Sequence, residues 1–294
     1  MTIRLYIPLF VGVAAISVAA ILIRLADADP IAVAACRLLI GGVVLVIPAI
    51  AYATYREKII FALTTQFRKL LVPSVFLSAH FVLWITSLSM TSVASSVVLV
   101  TTTPVFIAVA ARFWLADTIR LTTWTAIAMT LSGAFLIGFS GWNREGNSIV
   151  GDCLAVGGAV AMAGYLLSAR RLRSEMDSLS FAALVYLISG AMVFSIALAS
   201  NSQFKGLGLE TYLWIGLAAL IPQVIGHTII IWCLTRIRIT TVSLAIRLEP
   251  VIATLIAIPV LAEIPEWVVL PGSLLVLGGV YLAIREERSL GFSL

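Results

Sequence analysis

The chain is poor in charge. Of its 294 residues only 11% are Asp, Glu, Lys or Arg, while 61% are hydrophobic. A soluble domain carries about a quarter charged residues, and so few charges cannot cover a water-soluble fold of this size. Lysine is scarcer still. Lys58, Lys69 and Lys205 are the whole complement, and none is followed by Ser or Thr. There is thus no Walker A lysine and no sign of an ATP-driven pump. The two histidines, His80 and His227, have no spaced third ligand and make no metal-site pattern. No H-E-x-x-H, G-x-S-x-G or C-x-x-C occurs, so the usual hydrolase, metalloprotease and redox signatures are missing, and no cofactor is called for. Cys36, Cys153 and Cys233 lie in apolar runs and read as small core residues rather than a disulfide framework.

What the chain does have is apolar length, with a mean hydropathy of +1.11. A membrane-spanning helix needs about 20 apolar residues. Runs of that kind fall at 3–23, 31–53, 70–89, 93–115, 122–140, 149–169, 179–199, 211–234, 240–261 and 267–284. They predict an all-α integral membrane protein with ten transmembrane helices and short polar breaks, such as Asp27-Ala28-Asp29-Pro30. The loops leave no room for a soluble domain. The apolar core of the first run exceeds that of a signal peptide, so it is read as the first span.

Basic residues divide unevenly between alternate breaks. One side receives 14: Arg4, Arg56, Lys58, Arg68, Lys69, Arg112, Arg120, Arg170, Arg171, Arg173, Arg236, Arg238, Arg285 and Arg288. The other side receives three, Arg24, Arg144 and Lys205, while Arg37 and Arg247 fall inside spans. This split predicts both termini in the cytoplasm, in what is expected to be a bacterial cytoplasmic membrane. The net charge of +5 then orients the chain in lipid and needs no nucleic-acid partner.

The two halves resemble each other at a single ungapped offset of 146 residues, the separation of Pro104 and Pro250. At that offset Gly12 meets Gly158, Arg24 meets Arg170, Leu88 meets Leu234 and Ser95 meets Thr241. Leu115-Ala116-Asp117 meets Leu261-Ala262-Glu263, and Leu131-Ser132-Gly133 meets Leu277-Gly278-Gly279. Each repeat, 1–140 and 149–285, holds five predicted spans. An odd number forces the second copy into the membrane upside down. Inverted repeats of this kind are an architecture of secondary transporters.

The stretch from Ser87-Leu88 through Thr103-Pro104-Val105-Phe106 and Leu115-Ala116-Asp117 to Leu131-Ser132-Gly133 resembles the EamA-type repeat of the drug/metabolite transporter superfamily. The second half repeats it with Leu248-Glu249-Pro250-Val251, Ala262-Glu263 and Gly278-Gly279. The resemblance implies a ten-helix carrier that exports, or sometimes imports, small metabolites. Amino-acid exporters are similar in size and layout. Where the aromatic amino-acid branch has an aromatic-rich fourth-helix motif, this chain has Thr101-Thr102-Thr103.

Several residues could carry chemistry. Pro104 and Pro250 each remove a backbone donor and free the carbonyl four residues earlier, at Val100 and Ile246. Breaks at matching positions in two halves point to a transport site; the alternative is a structural kink rescued by nearby Thr hydroxyls. Thr240, Ser243, Arg247 and Thr254 fall on one helical stripe, and a mid-membrane arginine must face water or a partner. Glu249, two residues beyond Arg247, is expected on a different face, reaching a neighbouring helix. Both charges could instead form an internal ion pair that only holds helices together.

His80, Trp84 and Ser87 share a face of the third span, and Gln223 and His227 form an i,i+4 pair in the eighth. Each histidine is either cavity-lining or a hydrogen-bonded core residue. Thr103 and Tyr165 join the candidate binding residues. Arg37 is expected to snorkel to the outer surface or to pair with Asp27 or Asp152, and Asp117 and Glu263 to anchor helix ends. Gly41-Gly42, Ser132-Gly133 and Gly278-Gly279 suit close helix packing.

These residues favour a carrier of a small zwitterionic or amphipathic metabolite, with membrane lipid and substrate as its partners. The competing readings are a carrier for sugars, nucleotides or other solutes, a membrane-embedded enzyme, and a channel without alternating access.

Overall fold

The computed structural model describes residues 3–91, 96, 99–114, 120–139, 148–173, 175–204, 206–249, 251–252, 255–256 and 267–289. Pro250, Thr254, Ser95, Asp117 and Glu263 lie outside them. The described residues are helical and contain no strand. The helices are α1 (Ile3–Ser17), α2 (Ala19–Ala26), α3 (Pro30–Ala51), α4 (Ala53–Thr65), α5 (Phe67–Met90), α6 (Thr103–Trp114) and α7 (Leu121–Phe139). They continue with α8 (Ile149–Leu172), α9 (Ser178–Ala199), α10 (Leu209–Ala218), a π-helical segment (Ala219–His227), α11 (Thr228–Cys233), α12 (Ile239–Ile246) and α13 (Val269–Ser289). Seven described segments are long and apolar enough to cross a membrane, and Leu121–Ile137 is a shorter apolar helix. The fourth and ninth predicted spans are represented by the shorter pieces α6 and α12.

Local chemistry sets the boundaries. Asp29 caps α3 by accepting from the amides of Ile31 and Ala32 at 2.9 and 3.0 Å, with Pro30 at the first helical position, where a missing N–H costs nothing. Asp177 caps α9 in the same way. Hydroxyls inside the helices return to their own backbone, as Ser17 does to Val13 (2.7 Å) and Ser168 to Gly164 (2.7 Å), so they add no unsatisfied polar group to an apolar environment.

Packing follows the repeat. α1 packs on the π-helical segment and α11, while α8, which stands at the α1 position of the second half, packs on α5. The second spans of the halves, α3 and α9, pack on each other, as do α7 and α13, and α6 and α12. Each contact therefore maps onto itself or onto its counterpart at the 146 offset. Glycine permits the closest crossings. A Cβ on Gly42 would stand 2.7 Å from Leu187, and one on Gly190 would stand 2.9 Å from Leu39. A Cβ on Gly279 would meet Thr130 at 2.6 Å.

The breaks gather at two ends. Lys58 approaches Asp177 (3.9 Å), Lys69 pairs with Glu175 (2.5 Å), Arg170 donates to the Ile237 carbonyl (3.0 Å) and the Arg238 amide donates to Glu287 (2.6 Å). These all join segments from the basic side of the charge count. Thr91 donates to Asp152 (2.8 Å), and Ala26 packs with Ile215 and Leu207 at the other end.

Candidate functional site

The fourth and ninth spans break at the same place. α6 starts at Thr103 after a turn at Thr101–Thr102, and α12 stops at Ile246 before a turn at Arg247–Leu248. The two turns are 146 residues apart. Pro104 explains the first, because it cannot donate to the Val100 carbonyl. That carbonyl accepts instead from the Thr103 hydroxyl at 2.8 Å and, more distantly, from Arg247 Nη1 at 3.5 Å.

Beside the breaks lies a cavity of about 130 Å³. Its wall obeys the repeat. Ile16 and Met162, Phe81 and His227, Trp84 and Ile230, Val100 and Ile246, Thr101 and Arg247, and Thr103 and Glu249 all line it, and each pair is 146 residues apart. The cavity therefore sits where the two halves face each other. The remaining lining residues are Ala19, Arg37, His80 and Leu166.

Each polar member is held in a definite way. Arg247 is buried and makes two long contacts, to the Ser243 carbonyl (3.4 Å) and the Val100 carbonyl (3.5 Å). Bonds of that length are weak, so much of the guanidinium's donor capacity is unspent. His80 Nδ1–H donates to the Gly158 carbonyl at 3.0 Å, and its ring stacks on Trp84 at 5.8 Å. His227 meets the Phe81 ring edge-on at 6.2 Å. The indole N–H of Trp84 is buried with no hydrogen-bond partner among the described residues.

Two expectations from the sequence are corrected. Glu249 does not occupy a separate face: it lines the same cavity as Arg247. The helical angle between positions i and i+2 assumes a continuous helix, and this one turns at Arg247–Leu248. Arg37 does not snorkel outward. It is 1% exposed, its Nε donates to Gln223 Oε1 at 3.1 Å, and its guanidinium lies 4.9 Å from the Phe81 ring centre. Asp152, one acid considered for it, is bonded by Thr91.

Of the other candidates, Thr103 and Trp84 line the cavity, but Gln223, Tyr165 and Ser243 do not. Gln223 is buried behind Arg37, Tyr165 is buried in the core, and the Ser243 hydroxyl turns back to the Thr240 carbonyl at 2.8 Å. Gln223 and His227 belong to a π-helical segment rather than an α-helix, a distortion frequent at functional sites. Among the described residues no cluster of three metal-ligating side chains occurs.

The EamA-like transporter family matches the chain twice, over residues 4–139 and 149–285. The chain belongs to the EamA-like transporter family. Membership makes it a membrane transporter. A crystal structure of 17% sequence identity covers 99% of both chains with a TM-score of 0.83, and that likeness shows that the fold is shared. No curated protein matches the chain.

In this EamA-like chain a larger cavity, about 560 Å³, lies at the basic end between Lys58, Arg173, Glu175 and Asp177. Burial pushes the Arg173 guanidinium down to about 10, against the opposing effect of Asp177. It is the smaller cavity that lies at the matched breaks. The sequence reading missed Phe81 and Arg37 there. Phe81 was visible as the repeat counterpart of His227. Arg37 was visible as an intramembrane cation with no acid on its own helix.

Proposed function

We propose that the chain is a secondary carrier of ten spans, built as two inverted five-helix halves over 1–140 and 149–285, with both termini in the cytoplasm. It exports small amino-acid-like zwitterions from a bacterial cytoplasmic membrane by alternating access. The observation that carries this reading is the symmetric wall of the central cavity. A site shared by two copies of one unit can be opened by either copy, which is the geometry that rocking carriers use. The grouping of loops at two ends supports the ten-span parity.

In this reading Arg247 holds the substrate carboxylate with two parallel charge-assisted hydrogen bonds. Glu249, across the turn, receives the ammonium, and Phe81 and Trp84 receive the side chain. A lipophilic cation would meet a surplus of guanidinium here. The purified protein in liposomes tests this. Saturable, substrate-dependent flux of amino acids is expected. Turnover without flux would indicate an enzyme, and flux without saturation a channel.

A further inference from the structure

Three groups of formal charge line the central cavity among the described residues, and all three break its symmetry. Arg247 and Glu249 stand opposite Thr101 and Thr103. Arg37 stands where the second half has Ala183. The two histidines are ordinarily neutral at pH 7. The cavity thus carries two guanidinium groups against one carboxylate, a surplus of one positive charge. A buried charge without a counter-charge is costly, and the surplus must be met by whatever occupies the space.

Arg37 is built to meet a second anion. Gln223 holds its Nε and the Phe81 ring covers its face, which fixes the fork in one orientation. Its Nη1 is buried with no hydrogen-bond partner among the described residues. That donor belongs to a side chain that is 1% exposed, so bulk water does not satisfy it. No ion pair joins Arg37 or Arg247 to a carboxylate within 4 Å among the described residues.

We propose that Arg37, held by Gln223 behind it, forms a second carboxylate subsite, and that the substrate is an acidic amino acid with two carboxylates and one ammonium. The inference rests on the zwitterion reading above and deepens it: Arg247 takes the first carboxylate, Glu249 the ammonium and Arg37 the second carboxylate. The charges then match group for group. All three groups line one space of about 130 Å³, which suits a solute the size of aspartate.

The test is counterflow in liposomes containing the full-length protein, with labelled L-aspartate, L-asparagine and succinate. The wild type is expected to prefer aspartate over asparagine by roughly 10-fold or more, the worth of one charge-assisted hydrogen bond. Succinate, which lacks the ammonium, should be carried poorly. Gln223→Glu supplies Arg37 with an internal counter-charge at nearly unchanged volume and should collapse the acid-to-amide ratio toward one. Arg37→Gln should do the same. If either variant fails to fold, the wild-type ratio alone decides. Asparagine carried as well as aspartate would overturn the second subsite and leave the zwitterion reading standing. Succinate carried as well as aspartate would overturn the proposal through Glu249. Saturable uptake of none of the three would overturn the acidic-substrate proposal.

Discussion

Arg247 is where the account is sharpest at the scale of the residue. Among the described residues its buried guanidinium makes only two long contacts, both to carbonyls, so its forked geometry is available to a ligand. Arg247→Lys keeps the charge and loses the fork. It should weaken substrate binding by about 10- to 150-fold, equivalent to about 1.5–3 kcal/mol, with little loss of folded protein. Arg247→Leu should abolish flux. If Arg247 served only to neutralise Glu249, the double variant Arg247→Leu/Glu249→Leu would regain both thermal stability and flux. Recovered flux in that variant contradicts the clamp. Arg247 was legible in the sequence as a charge in mid-span, which must face water or a partner, whereas the stripe through Ser243 did not carry over, because the helix ends at Ile246 and the Ser243 hydroxyl turns back to Thr240. Glu249 was misplaced because periodicity arguments carry a helix straight through a turn. Arg37 was misplaced because distance along a span measures depth and says nothing of what a neighbouring helix presents. Gln223 and the Phe81 ring hold it inward.

The elements add a constraint that single residues do not. The matched turns at 101–102 and 247–248 let Thr101, Thr103, Arg247 and Glu249 face one space. Pro104→Ala restores an amide that can bond the Val100 carbonyl and pull the turn into a continuous helix. Thermal stability is expected to hold or rise while flux falls, and unchanged flux would mean that the break is only a kink. The glycine crossings make the opposite prediction. Gly279→Leu forces a side chain against Thr130, where even a Cβ would stand at 2.6 Å. Overpacking of this kind should cost about 1–3 kcal/mol, read as a lower melting temperature in detergent. The close packing was legible as glycine pairs, and so was the paired position of the two prolines. The π-helical segment was not. Ala219–His227 contains Pro222, but Pro8, Pro48 and Pro73 lie inside helices that stay α, so a proline alone does not mark a π-helix; the segment packs against Gly12 through Gly226 at a distance that only the folded contact defines.

At the scale of the whole molecule the repeat governs both packing and site. Six pairs at one offset line the cavity, and inter-helix contacts exchange under the same offset. The duplication was visible in the sequence from Pro104 and Pro250 outward, whereas the cavity it encloses needed the fold. The topology has its own test. Tags at Met1 and Leu294 should both resist an impermeant reagent in intact cells, and labelling of either end from outside would break the ten-span parity. The central claim is that one cavity is open to each side of the membrane in turn. Met162, on its wall, offers the most direct probe. Cys36, Cys153 and Cys233 are first replaced, Met162→Cys is introduced, and an impermeant thiol reagent is applied to either side of sealed vesicles. The account predicts labelling from both sides, slowed by transported substrate. Labelling from one side only, whatever the substrate, would contradict it.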